Sequence, residues 1–127
     1  MASPVIYMVV KKEDFDVAES AVLQRIYLND VVDARGRAGS FGLREYAFRN
    51  DSGYRDEDLL VGRNGGVEVV MRCARTGVAA IGATCFRTMR LAEGVALSYR
   101  FKRSHLSDWR EIASGVNRLL AAFAAPL

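Results

Sequence analysis

The sequence predicts an α+β domain in which an antiparallel β-sheet meander is packed by an N-terminal helix and a C-terminal amphipathic helix. Three observations lead there. Residues 84–91 and 95–103 alternate apolar with polar around a glycine-containing turn; residues 109–123 repeat apolar positions at intervals of three and four; and a β-branched run followed by an apolar-rich helical stretch opens the chain.

In the first pair of strands Val95, Leu97, Tyr99 and Phe101 fall on one side, and Ala96, Ser98, Arg100 and Lys102 on the other. Ala92, Glu93 and Gly94 form the connection, with glycine where a three-residue hairpin needs a left-handed residue. Setting Leu91 opposite Val95 places Met89 against Leu97, Arg87 against Tyr99 and Cys85 against Phe101. A slip of one residue would bury Arg90 instead. Upstream, Val67, Val69, Met71 and Cys73 make a similar stripe, preceded by an Asn64-Gly65-Gly66 turn and a short strand expected at residues 59–61.

The C-terminal helix follows from Trp109, Ile112, Ala113, Val116, Leu119, Leu120 and Phe123, with Arg110, Glu111, Ser114, Asn117 and Arg118 on the other side. Ser107 is a candidate N-cap, Asp108 suits the first turn, and Pro126 lies past the end. Gly115 costs about 1 kcal/mol relative to alanine within a helix. A close contact between helix and sheet is the expected reason for it.

The N-terminal half has a short apolar run at residues 4–10, a charged stretch at residues 11–14 and a helix expected over residues 14–34. The helix's apolar residues spread around most of its circumference, which predicts contacts on more than one side. These could come from the sheet and another layer, from a second copy of the chain, or from a further domain. Seven of the eleven glycines fall between Gly36 and Gly66, where loops and short strands are expected, with one strand at residues 41–48. No linker, repeat or low-complexity tract divides the chain, so residues 1–127 are read as a single globular domain.

No apolar run approaches the roughly 20 residues needed to cross a bilayer. Residues 1–10 lack the basic start and long apolar stretch of a signal peptide, so any export signal or anchor is expected to lie outside this chain. Charge divides unevenly. Residues up to Asp58 carry eight bases and eleven acids, whereas those from Leu59 onward carry ten bases and four acids. The sheet is therefore the positive half. Opposite its apolar face, Arg72, Arg90, Arg100 and Lys102 surround Phe86, a flat basic surface suited to an anionic ligand. An ordinary solvated sheet face is the plainer reading. Fifteen arginines against three lysines favour bidentate contacts with phosphate or carboxylate. Nucleic acid is disfavoured, because the basic and aromatic segment at residues 99–103 lacks the glycines of the RNP1 pattern and turns Tyr99 and Phe101 to the core.

Cys73 and Cys85 both fall on the expected core face. With residues 74–84 as one long connection they lie on adjacent strands and can form a disulfide, closing a loop worth about 3 kcal/mol. A tighter turn at Thr76-Gly77 would instead place Cys73 opposite Ala80 and leave two thiols. A bridge implies an oxidising compartment, the periplasm for a bacterial protein; free thiols imply the cytoplasm.

Reactive chemistry is sparse. His105 is the sole histidine, the cysteine spacing matches no zinc pattern, and neither a catalytic residue nor a metal or cofactor site is expected. Asp51, Asp56, Glu57 and Asp58 depart from the calcium-loop template and read as a solvated acidic loop. Gly36, Gly39 and Gly42 match neither the dinucleotide nor the P-loop fingerprint. The leading expectation is a non-catalytic interaction or accessory domain, exported or membrane-tethered in its full-length form, with a protein partner or a second copy as its ligand. The alternatives are an intracellular module binding anions or nucleic acid on the basic face, and last a small metal-dependent enzyme walled by residues 36–58.

Overall fold

The computed structural model describes residues 4–12, 20–75, 82–92 and 94–124. In chain order these form β1 (Tyr7–Lys12), α1 (Ser20–Leu28), β2 (Arg37–Ala38), β3 (Arg44–Ala47), β4 (Glu57–Asn64), β5 (Val67–Ala74), β6 (Thr84–Ala92), β7 (Val95–Lys102) and α2 (Trp109–Ala124). The strands make one antiparallel sheet in the order β1-β7-β6-β5-β4-β3-β2. From β2 to β7 it is a meander, as the sequence predicts. The addition is β1, which returns to pair with β7 along its whole length, Tyr7 opposite Arg100 and Lys12 opposite Val95.

The β6–β7 register is the predicted one over most of its length, with Met89 opposite Leu97, Arg87 opposite Tyr99 and Cys85 opposite Phe101. The tip differs. Ala92, not Leu91, pairs with Val95, and the ladder is irregular between Arg90 and Ala92, so a bulge takes up the extra residue before the turn. Gly94 holds the left-handed conformation, at φ 73°. The first turns expected for the N-terminal helix, the Thr76-Gly77 turn, Glu93 and Pro126 lie outside the described residues.

Three elements differ in length from what periodicity suggests: α1 ends at Leu28 rather than residue 34, with Val31 instead bridged to Phe48, and two strands change. The fourth strand covers Glu57–Asn64 rather than residues 59–61, which draws Glu57 and Asp58 out of the expected acidic loop and into the ladder opposite Ala74 and Cys73. The strand expected at residues 41–48 shrinks to Arg44–Ala47, because Ser40–Gly42 forms a short 3₁₀ turn with Phe41 at φ 61°.

Each face of the sheet carries its own core. On one side α2 lays Trp109, Ile112, Ala113 and Val116 over Leu60, Val69, Met71, Leu97, Tyr99 and Phe101. Full burial of an Ile- or Val-sized side chain contributes about 1.5–3 kcal/mol, so this stripe is what holds the helix down. On the other side α1 sets Leu23 and Tyr27 against Tyr46, Phe48, Leu59 and Val70. Leu59 and Leu60 are neighbours in one strand yet belong to different clusters, which fixes α1 and α2 on opposite faces. The face expected to be a flat solvated surface is therefore covered by α1 where it carries Tyr46, Leu59 and Val70. As for the helix predicted to need contacts on several sides, its described part uses one, with Ile26 left 39% exposed.

Candidate binding face and the buried bridge

Antiparallel pairing puts Cys73 of β5 directly opposite Cys85 of β6. Their Cα atoms are 4.0 Å apart and the sulfurs form a disulfide. The alternative register, with Cys73 opposite Ala80, is not adopted. Both cysteines are fully buried in the α2-side core beside Phe101 and Leu97. The bridge thus ties β5 to β6 where only two described ladder pairs join them.

The candidate basic face is built from one cross-strand row. Arg72 of β5 stands opposite Phe86 of β6, Phe86 opposite Arg100 of β7, and Arg100 opposite Tyr7 of β1. Directly opposed residues share a face, so cations and rings alternate across four strands. The Arg72 and Arg100 guanidinium carbons each lie 5.2 Å from the Phe86 ring centroid.

Arg72 is more deeply committed than Arg100. Its guanidinium also sits 4.6 Å from the Tyr54 ring and 5.5 Å from Tyr27, and it is 3.4 Å from the Glu57 carboxylate. Its Nε is buried without a hydrogen-bond partner. The sequence placed Arg72 on the open face; the structure wedges it between α1 and the sheet. Burial pushes the Tyr27 phenol above its ordinary range, and the neighbouring Arg72 charge opposes that shift. Arg90, Arg100 and Lys102 are exposed, and Arg100 is the one that remains beside Phe86.

The remaining candidates do not converge. Asp51 pairs with Arg49 at 3.1 Å, Glu57 with Arg72, and Asp58 with both Arg75 and Arg103 at 3.2 Å each. These three carboxylates are held by separate arginines, Asp58 by two, and no group of metal-ligating side chains occurs among the described residues. His105 Nδ1 lies 3.9 Å from Asp108 in the 3₁₀ turn before α2. The glycine-rich segment is packed from outside: Trp109 Nε1 donates to the Phe41 carbonyl at 2.9 Å, and Arg110 Nε donates to the Arg63 carbonyl at 3.0 Å. Gly115 makes no tight contact with the sheet, since among the described residues a Cβ there would meet only the Arg118 side chain at 3.6 Å. The expected reason for that glycine is absent.

Sequence reasoning put Arg87 on the apolar face without a partner for its charge. It is 3% exposed, and its Nη1 donates to the Tyr99 hydroxyl at 3.2 Å while the guanidinium lies 5.8 Å from the Tyr99 ring. The α1-side core went unseen as well. Its signal was available in the unbroken apolar runs Leu59-Leu60-Val61 and Val69-Val70-Met71, which mark strands buried on both faces.

No family model matches this chain, and no curated protein or solved structure matches it either. Fold alone carries no function.

Proposed function

We propose that this chain is a non-catalytic α+β interaction domain, an accessory module that works in an oxidising compartment, exported or membrane-tethered in its full-length form, and that associates through its apolar N-terminal segment. The observation that carries the reading is the Cys73–Cys85 bridge, set in register inside the core. Reducing compartments keep such pairs as thiols, whereas oxidising ones close them. The N-terminal segment supports the second part, because Tyr7 and Val9 on the terminal strand of the sheet, and Val5 just before it, are each more than half exposed. Intact mass after alkylation, with and without reductant, tests the compartment on protein made in an oxidising host. Protection of both cysteines supports the reading; two alkylated thiols under native oxidising conditions reject it.

A second reading is favoured by one observation, the exposure of Arg100 beside Phe86 and of Lys102 opposite Thr84 on the same strand pair: an intracellular surface for a phosphate- or carboxylate-bearing ligand, with nucleic acid the less favoured case. Replacing Arg90, Arg100 and Lys102 by glutamate should abolish anion binding and leave the fold intact. Unchanged affinity for polyanions would dismiss this surface.

A further inference from the structure

The terminal strand β1 uses one edge to pair with β7; its other edge faces no strand among the described residues. Open edges invite pairing with another chain and are normally guarded by charge, proline or a bulge. Here Lys11 and Lys12 guard only the C-terminal end, and residues 5–10 carry no charge. On β1, Tyr7 and Val9 lie on one face at 67% and 59% exposure and Val10 on the other at 58%, and Val5, just before the strand, is 64% exposed. Beside this edge, on the α2 side, runs an open groove of about 550 Å³ whose apolar wall includes Ile6, Met8, Ile112 and Leu119. Gly115 lies in the same wall. No contact among the described residues requires glycine there, although it costs about 1 kcal/mol in the helix.

We propose that β1 is the interface of a homodimer, two copies pairing edge to edge and antiparallel about a two-fold axis perpendicular to the sheet, with Met8 facing Met8 of the second copy. The occupant is a second copy because this edge is complementary to itself, as an isologous contact requires. In that register Tyr7 faces the second copy's Val9, Ile6 faces its Val10, and Val5 faces its Lys11, so apolar meets apolar around the axis on both faces and no lysine opposes a lysine. The axis runs the two α2 helices antiparallel on one face. The acidic end of one groove wall, Asp108 and Glu111, then points toward the Arg118 end of the other. On the opposite face Tyr7 carries the Arg72-Phe86-Arg100 row to the axis, joining the two basic faces into one surface.

The dimer deepens the interaction-domain reading and rests on it for its biological meaning. Sedimentation of the disulfide-intact protein from low micromolar to several hundred micromolar should show a concentration-dependent dimer. Tyr7→Glu with Val9→Glu sets like charges opposite each other twice across the axis and should weaken association roughly tenfold or more. Tyr7→Glu with Val9→Lys sets opposite charges in the same places and should restore most of it. Both side chains are more than half exposed, so circular dichroism and the intact bridge confirm that each variant folds. A wild type monomeric at the highest concentration, a dimer indifferent to the double glutamate, or a failed restoration would each overturn the proposal. A monomer with its bridge intact sinks the dimer alone; a dimer with free thiols sinks the oxidising-compartment reading alone.

Discussion

Removing the bridge by Cys73→Ala with Cys85→Ala tests whether the core depends on it. The cysteines are separated by 12 residues in sequence. Closing a loop of that size removes unfolded-chain entropy worth about 3 kcal/mol at 25 °C. A chain of 127 residues unfolds with an entropy of about 0.27 kcal/mol/K, so the double variant should melt roughly 11 °C lower. Alanine avoids leaving a hydroxyl in a fully buried site, and the lost sulfur contacts add to the effect rather than offset it. Calorimetry and guanidinium unfolding measure the difference. Kinetics give a second readout: both cysteines have no exposed surface, so reductant reaches them through opening of the fold. The reduction rate should therefore level off as reductant concentration rises, and sub-denaturing guanidinium should accelerate it. A melting point within a few degrees of wild type, or a reduction rate that grows without limit with reductant, would refute the reasoning.

Other consequences concern the two faces of the sheet. A Cβ at Gly62 would come within 2.7 Å of the Trp109 ring and 2.8 Å of Leu43, so Gly62→Ala should displace the buried indole and cost about 1–3 kcal/mol, with a red-shifted tryptophan emission; an unshifted spectrum at wild-type stability would contradict this. Asp58→Asn keeps the side-chain volume but removes the charge shared by Arg75 and Arg103, and should lower stability by about 2 kcal/mol in denaturant titration, against no change if these pairs contribute nothing. Burial raises the folded pKa of Tyr27 above the ordinary tyrosine value of 10.0, so the fold favours the neutral phenol. That contribution is complete below the unfolded pKa and is lost as pH rises through the folded value. Stability should thus decline above about pH 10, and Tyr27→Phe should flatten the decline; parallel pH profiles for the two proteins would argue against it.

The hairpin of β6 and β7 was legible because alternation leaves one register that buries the apolar set; its neighbour would bury Arg90. The same logic placed Cys73 and Cys85 on the core face. It could not choose between bridge and thiols, since that choice depends on how residues 74–84 return, which no periodicity marks. The basic face was half legible: Phe86, Arg100 and Lys102 lie where alternation put them. Arg72 was misjudged as open, because the helix that covers it is remote in sequence and its apolar residues do not specify which face they seek.

By itself the sequence determined the α+β class, the meander, the β6–β7 register short of its tip and the C-terminal helix, since local alternation and helical spacing have one low-energy solution there. Only the tertiary structure decided that β1 joins β7 as the terminal strand of the sheet, that α1 builds a second core against Leu59 and Val70, and that Arg72 lies among three aromatic rings. Those contacts join residues distant in the chain, and their energy comes from burial and from pairing charges with rings. Neither leaves a periodic trace in the order of the amino acids.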